Sequence, residues 1–214
     1  MVSEKQNLLL QQIEKVKRSV REQVEQRYEE FKKIGESGDE VALFGELSFC
    51  VLTANWTAKG GMKAQNLITN EGFAYLKEIE LVSKLKKIGH RFSNTRAKYI
   101  VENRWIIGKM KDILKMDVKH SRIFLVENVK GIGWKESSHF LRNVGKDDVA
   151  ILDKHILRIM KNYDLLKEIP KPSWNEKKYT EIEKILRTFA KKTNEPLGKL
   201  DIFLWYIETG SIDK

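Results

Sequence analysis

Apolar residues recur every three or four positions along most of the chain, which is the spacing of helix faces that pack on a core. The clearest stretch covers residues 7–34, and Gly35 is expected to end that helix. A more apolar stretch over residues 40–55 predicts a helix that lies largely inside the core. The same period predicts further helices at 71–77, 79–87, 94–115, 119–129, 135–144, 153–163, 175–192 and 198–208.

Strands are not expected, because no segment alternates apolar and polar residues between hairpin turn signals. No internal repeat and no low-complexity tail interrupts the helical pattern. The sequence therefore predicts an all-α fold of about ten helices. A fold of this class does not by itself specify a function.

Composition narrows the class of protein. The 214 residues are 41% hydrophobic and 33% charged, which is typical of a packed globular chain. The polar N-terminus and the lack of any apolar run near the ~20 residues of a membrane helix predict a soluble, cytoplasmic protein without membrane contact. Forty Lys and Arg against thirty Asp and Glu leave a net charge of +10. This surplus favours a polyanionic partner, nucleic acid before an anionic membrane, although lysine-rich helix faces can also be merely solvated.

Cysteine and histidine usage excludes several kinds of site. Cys50 is the single cysteine, which excludes a disulfide scaffold, a cysteine-rich zinc site and a four-cysteine iron–sulfur cluster. His139 and His155 lack the Cys, His or carboxylate company of a metal ligand, and His139 is expected to pack or to be solvated. We therefore expect no metal and no cofactor. The sequence leaves open whether the carbonyls around Gly131 bind a monovalent cation.

The most informative segment is residues 122–145, which predict two helices joined by the turn Gly131-Ile132-Gly133. Two glycines let the backbone turn sharply and approach a ligand closely. The amides that open the second helix then point outward, where phosphate oxygens can accept from them. A helix-hairpin-helix motif holds the DNA backbone in this way without reading bases. An ordinary helix pair with a glycine corner would carry the same Gly-x-Gly.

Lys135 opens the second of these helices, and Asp153, eighteen residues later, is placed to cap the helix that starts at Lys154. If both assignments hold, the amine and the carboxylate can face each other across a cleft. A helix N-terminus and neighbouring cations disfavour a charged lysine, so Lys135 could serve as a neutral nucleophile. The alternatives are a solvated lysine and a plain N-cap aspartate.

These segments resemble a known enzyme family. Gly131–Lys135 followed by Ile151–His155 is similar to the helix-hairpin-helix and Gly/Pro…Asp signature of the DNA glycosylase superfamily that includes endonuclease III. A longer resemblance, spread from residue 45 to the last residue, is to the type-2, archaeal-type 8-oxoguanine DNA glycosylase/AP lyases. The segments that carry it are Leu52–Ala58, Arg91–Ala97, Phe140–Gly145, Leu200–Tyr206 and Thr209–Lys214.

The resemblance implies a single domain, 1–214, with the all-α DNA glycosylase fold of two interleaved lobes. It places a helix-hairpin-helix motif at 122–145 and the active site in the cleft between the lobes. It also implies that Lys135 attacks the sugar of the damaged nucleotide, so that the base leaves and a Schiff base remains, through which β-elimination cuts the strand. Asp153 would stabilise the positive charge on the sugar and shuttle protons.

Further roles follow from the same resemblance, because the target base must be flipped out of the duplex. Asn55 would fill the void that the base leaves, unless it is only a helix C-cap. Phe92 and Trp205 would stack on the flipped base, unless they are core aromatics. Lys214 would distinguish 8-oxoguanine from guanine at N7–H through its terminal carboxylate or its side chain, unless the terminus is frayed. The remaining DNA-binding candidates are Gly131, Gly133 and His155.

The resemblance thus implies a bifunctional base-excision repair enzyme that binds double-stranded DNA containing 8-oxoguanine. A monomer associated with the nucleoid is expected. The lone cysteine argues against the cluster-bearing siblings of the superfamily. A sibling enzyme for another damaged base, a non-catalytic DNA-binding module and a basic scaffold for a protein partner remain as alternatives.

Overall fold

Helices account for the regular structure of the protein. The computed structural model describes residues 3–171 and 173–214; Met1, Val2 and Pro172 lie outside this description. The helices of this part of the chain are α1 (Glu4–Ser37), α2 (Glu40–Thr53), α3 (Ala58–Ile68), α4 (Asn70–Tyr75), α5 (Glu78–Lys87), α6 (Ser93–Glu102), a 3-10 helix (Asn103–Ile106), α7 (Met110–Lys115), α8 (Val118–Asn128), α9 (Trp134–Asn143), α10 (Lys154–Asn162), α11 (Glu176–Thr193) and α12 (Leu197–Thr209). The described residues contain no strand, which confirms the predicted all-α class.

The chain divides into two compact units. The first unit combines the residues up to Glu30 with Lys146–Asp213, and the second combines Phe31–Gly145 with Lys214. Helix α1 contributes to both units, and the last residue of the chain belongs to the unit that the middle of the chain forms. Within residues 3–171 and 173–214, no helix is long and apolar enough to cross a membrane.

Helix α2 is the centre of the second unit. Its N-terminus is capped by Asp39, whose carboxylate accepts from the amides of Val41 and Ala42 at 2.9 and 3.2 Å. Every residue from Leu43 to Thr53 is buried, and α3, α4, α6 and α9 pack around the helix. The apolar pattern over 40–55 predicts this burial, which the structure confirms.

Helix α3 is absent from the predicted elements, and its two adjacent glycines have a low helix propensity. The structure gives these glycines a packing role. A Cβ atom on Gly60 would lie 2.6 Å from the ring of Trp56, and one on Gly61 would lie 2.6 Å from the ring of Phe49. Only glycine therefore lets α3 approach these two rings so closely.

The single helix predicted over residues 94–115 is wrong. The chain forms α6, the 3-10 helix and α7 in this range. Helix α6 already ends at Glu102, and the 3-10 helix is separated from α7 at Gly108, whose φ of +90° belongs to the left-handed region and cannot continue a right-handed helix. The apolar spacing continues in α7, so the periodicity predicted one helix through Gly108.

Candidate active site

The predicted hairpin consists of α8 and α9, which pack against each other in the second unit. Gly131 adopts a φ of +81°, and a Cβ atom there would lie 2.7 Å from the ring of Tyr99. Gly133 is the N-cap of α9. Gly131 is thus required for both its backbone conformation and its close approach to a neighbour.

Asn103 holds this turn from outside the hairpin. Its Nδ2 donates to the carbonyl oxygen of Lys130, and its Oδ1 accepts from the amide of Lys130, both at 2.9 Å. The asparagine itself is buried, with 1% of its surface exposed. A two-point contact of this kind fixes the position and the orientation of the Lys130 peptide, one residue before Gly131.

Lys135 lies in the first turn of α9, with 23% of its side chain exposed. Its Nζ is 3.1 Å from Oε1 of Glu136. The other oxygen of Glu136 accepts from the amide of Gly133 at 3.3 Å. The same carboxylate therefore fastens the turn and orients the amine, so Lys135 is a partly buried, ion-paired lysine rather than a freely solvated one.

Two uncharged titratable groups lie in the electrostatic field of Lys135. Burial, reinforced by the charge of Glu46, raises the pKa of the Cys50 thiol well above its usual value. Burial, reinforced by the charges of Arg142 and Lys135, lowers the pKa of the His139 imidazole well below its usual value. Both groups are therefore neutral at neutral pH. Nε2 of His139 is buried and has no hydrogen-bond partner within the described residues.

Lys214 is bound rather than frayed. Its Nζ contacts the carboxylate of Glu46 and lies 2.9 Å from Oε1 of Gln65. The ammonium also lies over the ring of Phe49, 5.5 Å from its centre. With 17% of the side chain exposed, the last residue is part of the second unit.

Asn55 follows Ala54, the C-cap of α2, at the C-terminal end of the buried helix. Its φ of +62° is in the left-handed region and its side chain is exposed, which is compatible with both the predicted void-filling role and the C-cap alternative. Two buried side chains hold the end of the helix: Nε2 of His90 lies 3.1 Å from the carbonyl oxygen of Leu52, and a guanidinium nitrogen of Arg96 donates to that of Ala54 at 2.8 Å.

Phe92 is connected to the same histidine. Its amide donates to Nδ1 of His90 at 3.0 Å, so Nε2 carries the proton that is donated to the end of α2. Burial lowers the pKa of His90, which agrees with this neutral form. The ring of Phe92 is 38% exposed, and the guanidinium of Arg91 lies 5.1 Å from its centre. Phe92 is therefore a surface aromatic residue and not a core one.

In the first unit, Asp153 caps α10 as predicted. Its Oδ1 accepts from the amides of His155 and Ile156 at 2.8 and 2.9 Å. The other carboxylate oxygen makes no hydrogen bond to any residue in the described ranges. One oxygen of Asp153 thus fixes the helix start, and the second is available for another contact.

The backbone that leads to Asp153 is held by buried polar side chains. The amide of Ile151 donates to a carboxylate oxygen of Asp201 at 3.0 Å, and the amide of Leu152 donates to the hydroxyl of Tyr179 at 3.2 Å. Asp201 and Tyr179 are both buried. The position of Asp153 therefore depends on contacts with α11 and α12 as well as on its own segment.

His155 and Trp205 pack against each other in the first unit, edge to face with their ring centres 5.1 Å apart. Nδ1 of His155 lies 3.5 Å from a carboxylate oxygen of Glu208. Trp205 is only partly buried, whereas Ile202, Phe203 and Leu204 are fully buried. Its Nε1 lacks a hydrogen-bond partner among the residues that the structure describes. Trp205 is therefore distinct from the core that precedes it.

The structure places the predicted site residues in two groups. The second unit carries Asn55, Phe92, Gly131, Gly133, Lys135 and Lys214, and the first unit carries Asp153, His155 and Trp205. Within residues 3–171 and 173–214, no group of three or more His, Cys, Asp or Glu side chains could hold a metal ion. The sequence analysis missed the polar residues that hold these groups in place, namely Glu46, Gln65, His90, Arg96, Asn103 and Glu136.

Comparisons with known proteins identify the family of the chain. A family model described as 8-oxoguanine DNA glycosylase matches residues 24–195. The 8-oxoguanine DNA glycosylase/AP lyase of Thermotoga maritima is 53% identical over 206 residues, which cover 96% of this chain and 99% of that protein. The protein of the same description from Methanocaldococcus jannaschii is 46% identical over 210 residues, which cover 97% of this chain and 100% of that one.

Solved structures extend the likeness to the fold. The crystal structure of the Thermotoga maritima 8-oxoguanine DNA glycosylase matches with a TM-score of 0.94 and covers 98% of this chain and 100% of that chain, at 53% identity. The Methanocaldococcus jannaschii enzyme in complex with a 15-mer DNA containing 8-oxoguanine matches with a TM-score of 0.91. That match covers 97% of this chain and 100% of that chain, at 45% identity.

Proposed function

Because the chain belongs to the 8-oxoguanine DNA glycosylase family, we propose specific roles for its residues, with Lys135 as the nucleophile. The protein is a bifunctional enzyme that excises 8-oxoguanine from DNA and cleaves the strand as an AP lyase. The observation that carries the assignment of Lys135 is its position: a partly buried amine in the first turn of α9, two residues after the hairpin glycine Gly133.

The reaction begins when the amine of Lys135, after its ammonium has given up a proton, attacks C1′ of the damaged nucleotide. The C1′–N9 bond breaks, and the base leaves with its electron pair and takes up a proton. The nitrogen then loses a proton and the C1′–O4′ bond breaks, with O4′ taking up a proton, so that Nζ and C1′ are joined as a Schiff base. Removal of a proton from C2′ then expels the 3′ phosphate and cuts the strand.

Asp153 stabilises the positive charge that develops on the sugar and accepts or returns protons during these steps. Two features support this role. One carboxylate oxygen is occupied by the cap of α10, which fixes the side chain. The other has no partner among the described residues, so it can face a cationic sugar without first breaking a hydrogen bond.

We assign recognition of the flipped base to Phe92, Trp205 and Lys214. Phe92 is exposed and Trp205 is partly buried, which leaves aromatic surface for stacking. The ammonium of Lys214 is engaged by Glu46 and Gln65. The terminal carboxylate is therefore the group of Lys214 that we expect to accept N7–H of 8-oxoguanine.

DNA contacts outside the base pocket complete the proposal. Asn55 is exposed on a rigid helix end, as a residue that fills the void in the duplex must be. Gly131 and Gly133 present the hairpin backbone to phosphates, and His155 reaches a phosphate from the start of α10. We further propose that the enzyme is a monomer associated with the nucleoid; the net charge of +10 supports the association with DNA.

Borohydride trapping on duplex DNA with one 8-oxoguanine tests the mechanism. Wild type is expected to give a covalent protein–DNA band, and Lys135→Gln is expected to give none while it retains DNA affinity. Lys115→Gln, on the exposed Lys115 of α7, is the matched control and should trap like wild type. Base release by wild type without a trapped band would contradict the role of Lys135. Trapping only on a different damaged base would contradict the substrate.

A further inference from the structure

A buried carboxylate occurs in the most apolar helix of the second unit. Glu46 of α2 has only 5% of its side chain exposed. Buried carboxylates are unfavourable unless they are paired and hydrogen-bonded. Oε1 of Glu46 receives the Lys214 ammonium and Nε2 of Gln65, the latter at 3.1 Å, and Oε2 receives Nδ2 of Asn143 at 3.2 Å. Its two oxygens thus take three donors.

Gln65 of α3 is oriented by this arrangement. Its Nε2 donates to Glu46 and, at 3.3 Å, to the carbonyl oxygen of Gly45. The amide oxygen therefore faces the other way and accepts from Nζ of Lys214 at 2.9 Å. Gln65 thereby supplies a second acceptor for the same ammonium from a different helix.

The carboxylate is also supported from the side opposite Lys214. Asn143 at the end of α9 accepts from Nε and a terminal nitrogen of Arg142 at 3.3 and 3.1 Å. Arg142 is buried and lies over the ring of Phe31, 5.2 Å from its centre. Glu46 is therefore fixed between a rigid, buried donor and the last residue of the chain.

The main chain of the C-terminal residue also lies near α9. It is close enough to the imidazole of His139 to raise its pKa, against the larger lowering effect of burial. His139 follows Lys135 by four residues on α9, so the two side chains lie on the same face of that helix. The clamp on the side chain therefore places the end of the chain near the helix that carries the proposed nucleophile.

We propose that Glu46 and Gln65 are positioning residues for substrate selection, which hold the ammonium of Lys214 so that the end of the chain is presented to the flipped base. Neither side chain contacts the base in this proposal; both act through Lys214. The inference rests on the proposed function, because it presupposes that Lys214 faces 8-oxoguanine. A terminal residue without such a clamp would keep the freedom of an ordinary chain end and select poorly.

Two reactions of the same enzyme separate positioning from folding. Excision of 8-oxoguanine needs base recognition, whereas cleavage at a preformed abasic site has no base to recognise. For Glu46→Gln and Gln65→Met we expect single-turnover excision of 8-oxoguanine to fall about 10-fold or more. Cleavage of abasic DNA should stay within about 2-fold of wild type, because Lys135 and the hairpin are unchanged.

A double variant tests whether the effect passes through the last residue. Deletion of Lys214 should reduce excision on its own, and Glu46→Gln added to this deletion should cause no further loss, because residues that act as one unit are not additive. Glu25→Gln is the matched control. It removes a carboxylate that holds a lysine, Lys199, at 2.8 Å in the first unit, and it should change neither reaction.

Parallel loss of both reactions in the Glu46 and Gln65 variants would overturn the proposal, as would additive losses with the Lys214 deletion or unchanged excision. If Glu46→Gln does not fold, the Gln65→Met arm decides. A failure of the proposed function would be seen separately. In that case wild type itself would release no 8-oxoguanine, or the Lys135→Gln variant would still cut abasic DNA.

Discussion

Replacement of Asn103 with Ala is expected to loosen the hairpin turn and to destabilise the protein. The variant removes both hydrogen bonds to the peptide of Lys130, each 2.9 Å long. It also leaves a small void at a position with 1% exposure. No other change is made to the hairpin, so the effect measures what the asparagine contributes to the turn.

The magnitude follows from the two bonds. A hydrogen bond in a folded protein contributes about 1 kcal/mol net, and a buried group left unpaired costs about 1–3 kcal/mol. Because Lys130 is exposed, water can satisfy part of its freed backbone. We therefore expect a loss of about 2–3 kcal/mol in the free energy of unfolding, which lowers Tm by about 4–12 °C in a protein of this size.

Thermal unfolding and DNA binding at several salt concentrations are the assays. Affinity for DNA should fall about 10-fold, whereas the slope of affinity against salt should stay constant, because no cation is removed. Asn128→Ala is the control: this exposed side chain makes one hydrogen bond, to Phe124 within its own helix. Its Tm should stay near that of wild type. Equal Tm values for the Asn103 and Asn128 variants would refute the reasoning.

Four further outcomes are expected. Gly131→Ala must place a Cβ atom at a φ of +81° and 2.7 Å from Tyr99, so it should lose about 1–2 kcal/mol or more of stability and bind DNA less tightly in a gel-shift titration. Asp153→Asn can still cap α10 and should melt within about 2 °C of wild type, yet release 8-oxoguanine about 100-fold more slowly in single-turnover assays. Because the pKa of His139 is depressed in the folded state, its imidazole takes up a proton only in the unfolded state as pH falls below 6.5. Stability should therefore drop in that range, and His139→Gln should flatten the dependence of Tm on pH between 7 and 5. The raised pKa and burial of the Cys50 thiol should make it unreactive toward a thiol reagent at pH 8 until the protein is unfolded.

The helices that the sequence predicted best are those whose signals are local. The cap at Asp153 and the apolar run of α2 each depend on residues within a few positions of one another, and both are confirmed. The errors come from glycines. Gly60 and Gly61 are helical because two aromatic rings leave no room for a side chain, and Gly108 breaks a helix through its backbone conformation. In sequence, these two uses of glycine look alike.

The residues of the site also differ in whether their sequence signal is local. Lys135 and its hairpin belong to a contiguous motif, so their placement could be predicted. Glu46 also gives a signal, since a carboxylate within an apolar helix implies a buried partner. That partner is Lys214, 168 residues away in the chain, and no local pattern can identify it.

Helix α2 explains why these distant positions can work together. Glu46 lies in its first half, and Asn55 lies two positions beyond its last residue, where His90 and Arg96 hold the helix end. The residues between are buried and close-packed, so the helix behaves as a rigid element whose ends cannot move independently. A shift of α2 would therefore displace both the clamp on Lys214 and Asn55, the side chain proposed to enter the duplex. Base selection and insertion into the DNA are thus expected to respond jointly to core substitutions in α2.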